Sequence, residues 1–199
     1  MKFVVNFLFP TKCEICGSGR EPLCESCTPV AMPRKVSGFE FPVWSMVPLG
    51  ENLQKLIRSY KDDQILSLEK YLVELVRPNS EISDPDVLLV VPPRNRRNYR
   101  KRGFDPAYRL ARKIYGPGRK IQMLKLSREV EDQRELTGHF RRQNLLNAYS
   151  ANCQAGTRVV LFDDVLTTGS TLREMARAVE SAGGKVLAAC VLAETISNF

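Results

Sequence analysis

Histidine is almost missing from the 199-residue chain, where His139 is the only one. It lies beside Phe140-Arg141-Arg142 with no partner acid or nucleophile placed next to it. That argues against a histidine general base and for a surface position. Apolar runs of membrane length are missing too. The opening residues Met1–Pro10 are interrupted by Asn6, stop at Pro10 and lack a small-residue cleavage site. They read as an arm docked on the body, not as a span or a secretory leader. Two nucleotide-binding signatures are absent. No G-x-x-x-x-G-K-[ST] string occurs, and Gly116-x-Gly118 is followed at the third position by Ile121, which breaks a dinucleotide fingerprint. Acids are scarce in one place: Asp105 stands alone against 11 basic residues between Arg94 and Lys120. That stretch carries +10, so the rest of a chain with net charge +8 carries the difference, −2. A partner rich in negative charge is implied, phosphates being the commonest case. Hydrophobic content of 43% excludes wholesale disorder, and the length allows one domain plus a small module.

Four of the six cysteines form Cys13-x-x-Cys16 and Cys24-x-x-Cys27, with seven residues between the pairs. Two knuckles of this spacing complete a tetrahedral sulfur shell that suits Zn²⁺ and leaves no open position for catalysis. Gly17 and Gly19 permit the tight backbone such a knuckle needs. Two disulfides or an iron–sulfur centre are the alternatives, the former disfavoured if the protein is cytoplasmic, as expected here. So small a module needs its metal for stability. Cys190 sits in the apolar run 186–193 and reads as core. Pro29, Pro33, Gly38 and Pro42 punctuate the stretch after the cysteines, which reads as a linker with a domain boundary near residue 45 and Trp44 as an anchor. The expected division is residues 1–45 and 46–199.

The body reads as α/β. Helices are expected over residues 52–60, 64–77 and 107–114, the last with Asp105 as N-cap and Pro106 at its first position. Residues 87–91 form a continuous apolar run ended by Pro92-Pro93, which suits a strand buried on both faces. Residues 121–126 give another strand. A strand at 158–162, a helix at 171–182 and a strand at 186–193 make a βαβ crossover. Helices alternating with strands imply one open, mostly parallel sheet, with ligands at the carboxyl ends of its strands.

At one such end the chain reads Asp163-Asp164-Val165-Leu166-Thr167-Thr168-Gly169-Ser170-Thr171. The loop offers consecutive backbone N–H groups, three threonine or serine hydroxyls and a helix N-terminus, an anion cradle sized for a phosphate. The adjacent acids can accept hydrogen bonds from vicinal ribose hydroxyls or help hold Mg²⁺. A phosphate beside a diol describes a ribose 5-phosphate. A Walker B strand is the rival, but it needs the missing P-loop; plain solvated acids are the bland alternative.

This segment resembles the loop of type I phosphoribosyltransferases that binds phosphoribosyl pyrophosphate (PRPP). The resemblance implies that Asp163 and Asp164 contact the ribose hydroxyls in the catalytic site. It puts the 5-phosphate on Thr167, Thr168, Gly169, Ser170 and Thr171, with Mg²⁺ bridging pyrophosphate and ribose. The strand 87–91 with Pro92-Pro93-Arg94 stands where that family has its pyrophosphate loop, which assigns Arg94 to PRPP. A four-cysteine start, the string Arg100-Lys101-Arg102-Gly103-Phe104-Asp105, and Gln133-x-x-Leu136, Arg141, Asn144 and Ala148-Tyr149 resemble the ComF (ComFC/GntX-like) competence proteins. The family has Asn and Gln where this chain has Asp105-Pro106, a difference that the helix start explains without function. The resemblance implies a type I phosphoribosyltransferase-like domain behind a zinc module, acting in natural transformation.

Arg94, Arg96, Arg97, Arg100, Lys101 and Arg102 fall within nine residues without an acid. One or two arginines suffice to clamp a diphosphate. The surplus suits a single-stranded nucleic-acid backbone, with Arg96, Arg97, Tyr99, Arg100, Lys101 and Arg102 as contacts and Tyr99 and Phe104 for base stacking. An ordinary solvated loop is the alternative. Residues 128–149 are expected either to cover PRPP or to form a solvated helix–turn. Two functions are implied: a competence protein binding single-stranded DNA and PRPP, with partners such as a cytoplasmic helicase, or an active phosphoribosyltransferase with an unidentified acceptor.

Overall fold

Along two neighbouring strands the side chains alternate between two cores. Val159, Leu161, Ala189 and Val191 pack into one, and Val160, Phe162, Ala188, Cys190 and Leu192 into the other. Both faces are therefore buried, the condition under which parallel strands read as unbroken apolar runs. The computed structural model describes residues 12–76, 84, 86–128 and 143–195. Its main sheet has the order β1-β2-β8-β7-β3-β4, from β1 (Arg34–Val36), β2 (Val43–Pro48), β3 (Leu88–Val91), β4 (Ile121–Met123), β7 (Arg158–Leu166) and β8 (Lys185–Glu194). Only the β1–β2 pair is antiparallel. A small antiparallel pair, β5 (Lys125–Leu126) with β6 (Tyr149–Ser150), stands apart.

Helices cover both faces. Leu53 and Leu56 of α1 (Glu51–Lys61), Leu72 of α2 (Glu69–Val76) and Leu110 of α4 (Pro106–Tyr115) share a core with Phe162. Between α2 and α4, the short α3 (Arg96–Arg102) lies outside that core. Leu172, Met175 and Val179 of α5 (Ser170–Ser181) pack with Leu161 on the opposite face. This is the expected mostly parallel sheet flanked by helices, and its parallel strands bring the ends of β3, β7 and β8 to one edge.

Several local expectations shift. The stretch taken as a linker supplies β1 and β2, and the boundary near residue 45 falls inside β2, which ladders onto β8. Trp44 in β2 packs against the core as an anchor. The expected helix 64–77 is helical only from Glu69, after a 3-10 turn at Leu66–Leu68. Residues 1–11, His139, Gln133, Leu136 and Arg141 lie outside the described residues. Cys190 is fully buried.

The cysteine module is not separate from this body. Leu23 and Cys13 join the core shared by α1 and α2. Lys55 Nζ donates to Ile15 O at 3.3 Å, and the Tyr71 hydroxyl to Glu21 at 3.1 Å.

Candidate functional site

Asp163 and Asp164 are the last polar residues of β7, which runs on to Leu166 because β8 matches it as far as Glu194. The expected strand ended at residue 162; the acids belong to the ladder itself, and this fixes their backbone. Asp163 is buried, and its Oδ1 accepts the Asp164 N–H at 2.8 Å. Burial, with the Asp164 charge beside it, pushes the Asp163 carboxyl up to about 8, against the partial opposition of the Asp164 amide and Lys61. Lys61, the last residue of α1, places its ammonium 2.5 Å from Asp164 Oδ2. The result is a pair of carboxyl groups with Lys61 set against one of them, able to accept hydrogen bonds from vicinal hydroxyls.

The five residues after Leu166 form the cradle. Gly169 caps α5 in the left-handed conformation, φ 74°. The first N–H groups of a helix lack intrahelical acceptors, so this turn presents donors to an anion. Thr168 Oγ1 and Ser170 Oγ stand 2.9 Å apart, and Ser170 N donates weakly to Thr168 Oγ1 at 3.4 Å. Thr167 and Thr168 are exposed, whereas Ser170 is buried. Arg173 braces the loop from outside, donating to Thr168 O at 2.9 Å and Gly38 O at 3.0 Å, with its guanidinium 4.5 Å from the Phe39 ring centre. A cavity of about 290 Å³ opens beside the loop between Thr167, Thr168 and β1. Its floor holds Glu194, which is 3% exposed and ion-paired with Arg34.

The basic segment, for which the sequence suggested no helix, is the helix α3. Asn95 caps it, its side chain accepting the Asn98 N–H at 3.0 Å. Arg94 does not point freely at the sheet edge: Nε donates to Asp105 at 2.8 Å and the guanidinium lies 3.8 Å from the Tyr99 ring centre. Asp105 does begin α4, but its carboxylate makes this ion pair instead of a capping bond. Arg102 is bound to Asp62 at 2.7 Å, and the Phe104 ring is packed on Tyr60 with centres 5.3 Å apart. Arg96, Arg97, Arg100 and Lys101 are exposed. Of the side chains expected to meet nucleic acid, then, four stand in solvent while Tyr99 and Arg102 are engaged within the fold.

At the other end of the described chain, the Sγ atoms of Cys13, Cys16, Cys24 and Cys27 lie within 4.8 Å of one another, a set able to hold a metal ion. Gly17, at φ 74°, turns the first knuckle and donates to Cys13 O at 2.8 Å. Burial raises the Cys13 thiol, but backbone N–H groups of Cys16, Cys24 and Ile15 outweigh it and lower the thiol to about 6. The neighbouring Cys24 sulfur pushes the Cys27 thiol the other way, up to about 12, so the fit to such an ion rests on four sulfur donors converging on one point and not on their titration.

The phosphoribosyl transferase domain family matches residues 100–198, a span that contains the acid pair and the cradle. Competence protein F of Haemophilus influenzae is 30% identical over 163 residues, 71% of this chain and 69% of the relative. The chain belongs to the competence protein F family. A second similar protein, DNA utilization protein YhgH of Salmonella typhimurium, is 26% identical over 206 residues, covering 92% of this chain and 90% of the relative. Adenine phosphoribosyltransferase from Rhodothermus marinus aligns over 81% of each chain at 19% identity, with a TM-score of 0.41. In this competence protein F family member, Arg94, Arg96, Arg97 and the four cysteines precede the matched domain. Lys61, Arg173 and the Arg34–Glu194 pair escaped the sequence reading. Each reaches the site from an element distant in sequence or read only for packing, and no local pattern announces it.

Proposed function

We propose that this competence protein F family member acts in DNA uptake, binding PRPP at the Asp163–Thr171 segment and single-stranded DNA on α3. One juxtaposition carries this reading. The acid pair and cradle end β7, and the adjacent parallel strand β3 leads through Pro92–Asn95 into α3, so both anion-binding features share one edge of the sheet. In this reading Asp163 and Asp164 accept the ribose 2′- and 3′-hydroxyls. Thr167, Thr168, Gly169, Ser170 and Thr171 hold the 5-phosphate, and Arg94 turns a guanidinium N–H toward pyrophosphate. Mg²⁺, were it bound with the pyrophosphate, would supply charge neutralisation there. The exposed Arg96, Arg97, Arg100 and Lys101 track a DNA backbone, while Cys13, Cys16, Cys24 and Cys27 would hold Zn²⁺ and so stiffen the N-terminal module that packs on α1 and α2. Titration with PRPP and with an oligothymidine tests both halves; a protein that binds neither ligand refutes the proposal.

A second reading, an active transferase with its own acceptor, is favoured by the cavity between the cradle and β1. Its buried Glu194 and the cations Arg34 and Lys35 leave polar room for an acceptor beside the sugar phosphate. Pyrophosphate release from PRPP, measured with candidate acceptors including single-stranded DNA, separates the two readings.

A further inference from the structure

Lys61 closes α1, a helix that elsewhere packs on the core and reaches the cysteine module through Lys55 and Ser59. It is nevertheless one of the most tightly positioned cations at the sheet edge. Its ammonium stands 2.5 Å from Asp164 Oδ2, and both side chains are only 15% exposed. The corner that aims it is fixed from three directions. Asp62 N–H donates to Arg58 O at 2.7 Å, the Asp62 carboxylate accepts from Arg102 at 2.7 Å, and Gln64 Nε2 donates to Lys101 O at 3.2 Å. Ile65 N–H then returns to Ser59 O at 3.1 Å. A flexible lysine is thereby held at one carboxylate, and breaking a partly buried pair of this kind by removing one partner is costly.

Geometry at the acids gives this cation a task. Asp163 uses Oδ1 on the Asp164 amide. Asp164 gives Oδ2 to Lys61, which leaves its Oδ1 for a hydroxyl. A lysine ammonium has three donors, so one bond to Asp164 leaves two for ligand oxygens. We infer that Lys61 is a positioning residue of the sugar site: it orients Asp164 toward the vicinal diol and offers its remaining N–H groups to oxygens of the same phosphorylated ribose. The inference rests on the reading of Asp163 and Asp164 as diol acceptors. It adds a residue that neither the family match, which begins at residue 100, nor the sequence motifs include.

Binding of ribose 5-phosphate and of 2-deoxyribose 5-phosphate to the full chain, by calorimetry, tests it. The two ligands share the phosphate and differ in one hydroxyl. Wild type is expected to prefer the ribose form. Lys61→Met should weaken ribose 5-phosphate by about tenfold or more, as loss of a charge-assisted hydrogen bond does, and should erase the preference. Lys61→Arg should restore part of it, and inorganic phosphate, which has no diol, should bind the three proteins alike. A Lys61→Met protein that keeps wild-type affinity and preference, with an unchanged melting curve, overturns the role of Lys61 and leaves the diol reading standing. Wild type that fails to prefer ribose overturns the diol reading and this inference together. If Lys61→Met loses inorganic phosphate in the same proportion, the effect is general damage to the site and the positioning role is refuted.

Discussion

The Arg94 guanidinium donates to Asp105 at 2.8 Å while lying over the Tyr99 ring, so one side chain pins the start of α4 to the middle of α3. Arg94 is 47% exposed on its side chain. Exposed pairs contribute roughly 0–1 kcal/mol, which makes Asp105 a partner that an incoming diphosphate can replace. Asp105→Asn should therefore cost less than about 1 kcal/mol in urea unfolding. Arg94→Gln should weaken PRPP by about tenfold, the scale of one charge-assisted hydrogen bond. Equal PRPP affinity for Arg94→Gln and wild type would remove Arg94 from the ligand site.

Asp163→Asn should make the protein more stable and less able to bind. The folded carboxyl titrates near 8 against an ordinary 3.8, because burial and the Asp164 charge disfavour ionisation. Between those values the folded protein holds a proton that the unfolded chain has lost, so stability falls as pH rises from about 4 toward 8. Asn carries no such charge. Wild type should lose stability across that window, Asp163→Asn should lose less, and at pH 8 the variant should be ahead by at least about 1 kcal/mol. Denaturant midpoints against pH measure this, and parallel curves for the two proteins would contradict it. Ribose 5-phosphate affinity should drop in the same variant, a trade of function for stability expected at a buried polar site.

Four cysteines whose module shares Cys13 and Leu23 with the main core should not lose their metal without consequence. Elemental analysis should find one Zn²⁺ per chain. Chelation or Cys24→Ser should lower the melting temperature by roughly 4–8 °C, the shift that ~2 kcal/mol produces in a chain of this length. Zinc should be released on acidification, since protons compete for the thiolates. A metal-free protein with an unchanged melting curve would show that the cluster is not a structural centre.

The sequence made some of this visible and hid the rest for physical reasons. Residues 158–194 were readable because every level agrees there: apolar strands, an amphipathic helix, and a glycine-capped polar loop between them. β1 and β2 were not, since Pro33, Gly38 and Pro42 surround short strands, and the pairing of β2 with distant β8, onto which β1 adds as an edge strand, leaves no local trace. α3 looked like a loop because Arg96–Arg102 has no apolar stripe. It is held by the Asn95 cap and by the Arg102 bond to Asp62, and only the cap can be seen in sequence. Lys61 was hidden for the same reason as β2: its partner lies 103 residues away.

Replacing Arg96, Arg97, Arg100 and Lys101 together by glutamine should reduce the salt dependence of oligothymidine binding. Each lost phosphate contact removes about 0.7 from the slope of log K against log salt for single strands. These four side chains are exposed, so thermal stability should change little. Arg102→Gln should cost stability as well, because it releases Asp62. An unchanged salt slope in the fourfold variant would place the nucleic-acid strand elsewhere.

Gly169→Ala is the most severe small change the cradle offers. Its φ of 74° is one that alanine adopts only with strain, and the new Cβ would stand 2.6 Å from Arg173 Nη1 and 2.7 Å from the Phe39 ring. The arginine tip can move, but moving it breaks its bonds to Thr168 O and Gly38 O, which hold the loop against β1's continuation. The phenylalanine ring has less freedom, since it packs on Phe41 with centres 5.8 Å apart. Strain of about 1–3 kcal/mol should appear as a lowered unfolding midpoint. Inorganic phosphate and PRPP should both bind more weakly, while oligothymidine binding, which the proposal assigns to α3, should persist. Arg173→Ala separates the two contributions: it removes the nearest clash and the brace but leaves Gly169 its φ. If Arg173→Ala alone reproduces the loss of phosphate binding, the brace positions the cradle; if it binds phosphate as wild type does, the backbone of Gly169 suffices.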